Sequence, residues 1–321
     1  AQLLDAPRRA LAQLRAAGAE AEAAAAARDA GATLARARAL RQRDADREAA
    51  AAWAAGAAAQ QGLDAAAQRA LWTERQVLAR KLLRLGEPRL AYQVASQHGQ
   101  SLPGEPRQEA EFLSGFIALR FLEDPARALA HFRRVREGSR SAITQARSLY
   151  WEGRAERDPA RARARYQEAA AFPVTFYGQM AALALGENGA QISARINGLE
   201  VPRPSPAEAR AFAGRELARL VALLGDLGEA RRARIFLLRL EETSPSNAER
   251  LLVARLATAI GRPDFAVWVA RRGGAQGAML VEDGWPRPYP APEGLAEPAL
   301  VFAIARQESN FDPEAVSSAN A

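Results

Sequence analysis

The chain has 321 residues, 49% hydrophobic and 25% charged, a globular composition that excludes wholesale disorder and leaves room for one large core or two to three smaller ones. Its 44 basic and 37 acidic residues give a formal charge of +7, carried mostly by arginines mixed with acids along the chain, as on a solvated helical surface. There is no cysteine, and His98 and His131 are the only two histidines, which excludes disulfides, thiol chemistry, zinc–thiolate sites and a His-rich metal centre.

No basic run is interleaved with stacking aromatics, so nucleic acid is disfavoured as a partner, whereas the basic excess suits an anionic polymer such as cell wall. No stretch approaches ~18 uninterrupted apolar residues, so no membrane span is expected. No cofactor and no metal are expected either. The start at Ala1-Gln2, without methionine or a signal-peptide apolar core, reads as a processed form or a fragment.

From Leu3 to about Leu85 the sequence is alanine-rich with regularly spaced Arg, Glu and Asp, which predicts closely packed helices. The tract Ala23–Ala27 could instead be a low-complexity linker, but Trp53, Leu71, Trp72, Val77, Leu78 and Leu82 supply apolar anchors for a core. Gly86-Glu87-Pro88 breaks the helix that carries Leu82 and Leu83. An internal repeat follows: Asp124-Pro125-Ala126-Arg127-Ala128 recurs as Asp158-Pro159-Ala160-Arg161-Ala162, a spacing of 34 residues. Phe116 and Ile117 correspond to Tyr150 and Trp151, and Phe132 to Tyr166. Asp before Pro suits an N-cap followed by proline at the first helical position. Each unit then reads as helix, tight turn, helix, with aromatics between the pair, the signature of tetratricopeptide-like stacking. Weaker echoes begin at Gly86, Gly225 and Gly261.

Pro202-Arg203-Pro204-Ser205-Pro206 marks a boundary, because three prolines in five residues cannot lie inside a helix. Short helices resume from Ala207 to about Gly273. A second proline-rich segment, Gly284 to Pro292, reads as a stiff connector into a new domain, or as a ligand for a proline-binding domain. No alternating strand pattern occurs, and the fold class is all-α.

Between Glu297 and Phe311, the residues Leu300, Ile304, Glu308 and Phe311 fall at i, i+4, i+8 and i+11 on one helical face. Glu308 thus continues an apolar stripe at a helix C-terminus, where lost solvation and the helix dipole would favour the neutral form that a general acid requires. On spacing alone, a glutamate that turns outward to water explains the same pattern. Asp312, beside Pro313, reads as a helix-terminating residue.

The segment Ala305-Arg306-Gln307-Glu308-Ser309-Asn310-Phe311-Asp312-Pro313-Glu314-Ala315-Val316-Ser317 resembles the first catalytic motif of the soluble lytic transglycosylases, which cleave peptidoglycan. Tyr150 to Ala155 and Phe172 to Gln179 are similar to the family's helical domain, and Gly284 to Tyr289 to the entry of its catalytic domain. The resemblance implies a U-shaped α-superhelix over 1–200, a small helical linker domain over 205–275 and the first part of a lysozyme-like domain over 280–321. It also implies a periplasmic location and peptidoglycan glycan strands as substrate. Glu308 would be the single acid–base group that cleaves the MurNAc–GlcNAc bond with formation of 1,6-anhydromuramoyl ends, and Ser317 would lie near the substrate. Ser309 and Phe311 match supporting positions. The motif's usual glycine is Asn320 here, and the Gly-Leu-Met-Gln stretch that normally follows is absent. A lysozyme-like domain needs on the order of a hundred residues, so the segment alone is expected to be inactive. Two other readings stay open, a non-enzymatic α-solenoid interaction module and a two-carboxylate glycoside hydrolase.

Overall fold

A computed structural model describes residues 5–57, 60, 62–290, 294 and 297–317, with the side chains of 5–11, 14 and 19–24 outside the description. All regular structure among the described residues is helical. The chain divides into two compact units, residues 1–139 with 144–169 and residues 140–143 with 170–321.

The first unit opens with α1 (Asp5–Gln42), and the alanine tract lies inside it as helix. The chain turns at Asp44, whose φ is 59°, and enters α2 (Asp46–Ala55). Asp64 caps α3 (Ala65–Arg84) by accepting from the Ala67 N–H at 2.8 Å. Lys81, on the last turn of α3, ties this corner shut with ammonium contacts to Asp44 at 2.6 Å and Asp46 at 2.9 Å. Trp53, Leu71, Trp72, Leu78 and Leu82 are buried, as the pattern requires, but Val77 is 42% exposed. Residues 71, 75, 78 and 82 share one helical face, and Val77 lies off it. Arg75 occupies that face instead, wholly buried, with its guanidinium 4.4 Å from the Trp53 ring and bonded to Val94 O and Gln60 Oε1.

The 34-residue repeat becomes two helix pairs, α5 (Glu105–Arg120) with α6 (Pro125–Val135) and α7 (Ala142–Ala155) with α8 (Pro159–Ala170), after the shorter α4 (Pro88–Ser96). Asp124 caps α6 by accepting from Arg127 N, and Asp158 accepts from Ala160 N, each ahead of a proline in the first helical position. Phe112, Phe116, Phe132 and Trp151 pack as one cluster, with ring centroids 5.5–6.4 Å apart. A glycine lets each pair approach. A Cβ on Gly115 would stand 2.7 Å from the Phe132 ring, and one on Gly153 would stand 2.7 Å from the Tyr166 ring. The rings keep the repeat spacing, whereas the second glycine sits about one helical turn further on.

The second unit contains α9 (Phe176–Ala184), α10 (Gly189–Asn197), α11 (Pro206–Gly214), α12 (Glu216–Asp226), α13 (Arg234–Glu242), α14 (Asn247–Ala259), α15 (Pro263–Ala275), α16 (Val281–Gly284) and α17 (Pro298–Ser309). The prolines at 202 and 204 lie outside helix, and Ser205 and Glu208 form a capping box that starts α11 at Pro206. Val221, Leu237, Leu240, Leu251, Val253 and Val269 form the core. The sequence echoes at Gly86, Gly225 and Gly261 turn out to be one device used in both units. A glycine with φ near +75° (Gly86, Gly228, Gly261) ends a helix, and the next N–H reaches back five residues to a helix carbonyl. The proline-rich segment is non-helical from Trp285 to Pro290, and Ala291 and Pro292 lie outside the described residues.

Candidate active site at the C-terminal helix

Helix α17 starts with Pro298 at its first position and ends in an unusual turn. Asn310 and Phe311 both have positive φ, 53° and 72°, a region that costs a bulky L-residue roughly 1–2 kcal/mol. What holds the strained pair is tertiary. Phe311 is 3% exposed, its ring meets Phe302 edge-on at 6.2 Å, and its carbonyl accepts from the Tyr289 hydroxyl at 3.1 Å. The Phe311 N–H reaches back to Ala305 O, and the Ser309 hydroxyl donates to the same carbonyl. The Asn310 side-chain oxygen is buried and makes no recorded hydrogen bond.

Four arginines fasten the segment. Arg271 donates to Arg306 O at 2.9 Å and to Gln307 Oε1 at 3.2 Å, so a cation satisfies the carbonyl end of the helix. The Arg306 Nε donates to Gly284 O at 2.6 Å, and its guanidinium lies 4.3 Å from the Trp285 ring. Arg262 grips Asp264 with two 2.8 Å bonds and comes within 3.8 Å of Asp312. Arg231 pairs with Glu314 at 2.6 Å. The helix-terminating role expected of Asp312 falls to Asn310, because the backbone has already left the helix. Asp312 instead accepts from the Glu314 N–H at 3.1 Å and organises the turn that follows.

Glu308 is exposed on the last turn of α17. The half-buried face expected for it is not found, since Leu300 and Ile304 are 53% and 54% exposed. The helix leans on its unit through Phe302, Ala305, Arg306 and Ser309 instead, a face at i, i+3, i+4 and i+7 that is rotated away from the Leu300–Ile304–Glu308 line. Ser317 lies farther along the same segment and is exposed, while Asn320 falls outside the described residues. Among the described residues no group of three His, Asp or Glu side chains is placed to hold a metal, and no helix is long and apolar enough to cross a membrane.

The arginine clamp was not foreseeable from local sequence. Arg271 lies 35 residues before Arg306, and Arg231 lies 83 before Glu314, with no motif linking them. Only Gly284 to Tyr289 carried a signal, as a segment that accompanies the motif.

Residues 293–321 match the family described as Transglycosylase SLT domain. The matched stretch is similar to that domain and includes the helix and turn that hold Glu308. That stretch also contains Ser317. No curated protein and no solved structure matched the chain.

Proposed function

We propose that this chain is part of a periplasmic peptidoglycan lytic transglycosylase, with residues 1–200 and 205–275 as helical scaffold and 280–321 as the beginning of a lysozyme-like domain. Glu308 is its single acid–base group. The carboxylic acid protonates the glycosidic oxygen between MurNAc and GlcNAc, and the GlcNAc-side oxygen leaves as a hydroxyl. The resulting carboxylate takes the proton from the muramoyl 6-hydroxyl, whose oxygen bonds to the anomeric carbon and closes the 1,6-anhydro ring. The proton returns to Glu308, and no water is consumed. Ser317 contacts the glycan beside it.

The observation that carries this reading is the SLT match over the segment that contains both residues. One further feature supports it: the neighbouring carboxylates Asp312 and Glu314 are engaged by Arg262 and Arg231. Neither of these two acids is thus left free to serve as the second carboxylate of a hydrolysis. In the full-length protein, Glu308→Gln is expected to lower the release of anhydromuropeptides from purified cell wall by about a hundredfold or more, with an unchanged melting midpoint. Near-normal release would remove Glu308 from the role, and reducing ends in place of anhydro ends would make the enzyme a hydrolase.

A further inference from the structure

We infer that a pocket in the second unit, bounded by α15, α17 and residues 142–143, 174–176 and 278–280, binds a carboxylate carried next to an apolar group, as at the C-terminus of a short peptide. The cavity holds about 530 Å³. Its walls include Phe176, Met279, Leu280 and Trp285, and the guanidinium groups of Arg271 and Arg306 supply its charge.

These two cations lack what the unit's other half-buried arginines have. Arg215, Arg250 and Arg262 each reach a carboxylate, Glu249, Glu241 and Asp264 respectively. Among the described residues, no ion pair is recorded for Arg271 or Arg306. Their recorded hydrogen bonds use Nη2 of Arg271 and Nε of Arg306, so each guanidinium keeps further N–H donors. Two like charges in a half-buried pocket oppose each other, and an anion between them would relieve both. The strain registers on Arg306, which burial, and then the neighbouring Arg271, draw down to about 10.

Paired guanidinium forks suit a carboxylate or a phosphate equally well. The walls decide between them. A phosphate would turn its remaining oxygens against Phe176, Met279 and Leu280, whose side chains offer no donors, whereas a carboxylate with an aliphatic neighbour would fill the same space with methyl groups. The carboxylate could arrive on a free peptide or on a peptide attached to a glycan.

Calorimetric titration of this chain with three probes tests the site. They are N-acetyl-Ala-Ala, its C-terminal amide, and the same dipeptide acid carried on N-acetylmuramic acid. The acid is expected to bind saturably, the amide about tenfold or more weakly, and Arg271→Gln to erase that difference while retaining the wild-type melting profile. Should that variant unfold, the acid–amide ratio of the unmodified chain and its decline with added salt carry the test. Tighter binding of the sugar-linked acid identifies a glycan-borne peptide as the source, and equal binding identifies a free one. Equal affinity for acid and amide, or no saturable binding by any probe, overturns the site. Binding here and catalysis by Glu308 are separable, since Glu308→Gln should leave all three titrations unchanged.

Discussion

Glu111 is a carboxylate 4% exposed, and a charge so placed needs donors on every side. Burial opposes its ionised form, but hydrogen bonds with His131 at 2.6 Å, His98 at 3.3 Å and Arg134 at 2.8 Å outweigh that and hold the group well below the usual carboxylate range. The sign follows from the direction. A folded value below the unfolded value of 4.5 adds stability that is present above pH 4.5 and is lost as the pH falls through the folded value. Glu111→Gln should therefore cost about 1–3 kcal/mol at neutral pH and flatten the loss of stability in acid. Urea midpoints measured from neutral pH down to acid would check this, and an acid limb as steep as that of the unmodified chain would refute it. In the sequence, the two histidines were legible only as too few for a metal centre. Their shared carboxylate lies in a different helix, at separations with no local periodicity to reveal it. Arg75 was hidden for a similar reason, since nothing in an arginine's neighbours along the chain says that it will be stacked on Trp53.

At the level of elements, helix ends were the most readable feature. Asp-Pro and Gly-x-Pro pairs act on the backbone within a few residues of themselves, so their meaning travels with the sequence, and the caps at Asp124 and Gly86 lie where the residues indicate. Helix faces were less readable. The apolar line of Leu300 and Ile304 on α17 stays exposed, and the face that packs is set by Gly284 and Tyr289, which supply partners for Arg306 and Phe311 from outside the helix. Close approach within the repeats gives a graded prediction. Gly115→Ala drives a methyl into Phe132, which is wholly buried, and should cost about 1–3 kcal/mol. Gly153→Ala meets Tyr166, which is half-buried and can swing outward, so its cost should be smaller. Thermal midpoints of the two variants would show the order, and the reverse order would mean that the Phe132 ring yields more easily than its burial suggests.

For the whole molecule, charge is the property that composition alone conveys. A net +7 should draw the chain to anionic wall polymer through long-range attraction that salt screens. Co-sedimentation with purified cell wall should decline steeply between about 50 mM and about 300 mM salt. Retention that ignores salt would assign the affinity to short-range contacts instead. The all-helical class and the transglycosylase motif were both legible from sequence, the first from pattern and the second from resemblance. The pocket beside α17 was not, because it is assembled from residues far apart in the chain, and only folding brings Arg271 against Arg306. One further consequence comes from the lopsided basic composition. Lys81 is the one lysine in the sequence, and its hydrogen bond to Asp44, followed by that to Asp46, raises it above the ordinary lysine value. Acylating reagents attack only an uncharged amine, so the two carboxylates should slow labelling at this side chain. An amine-reactive ester should therefore modify Lys81 faster in Asp44→Asn than in the unmodified chain.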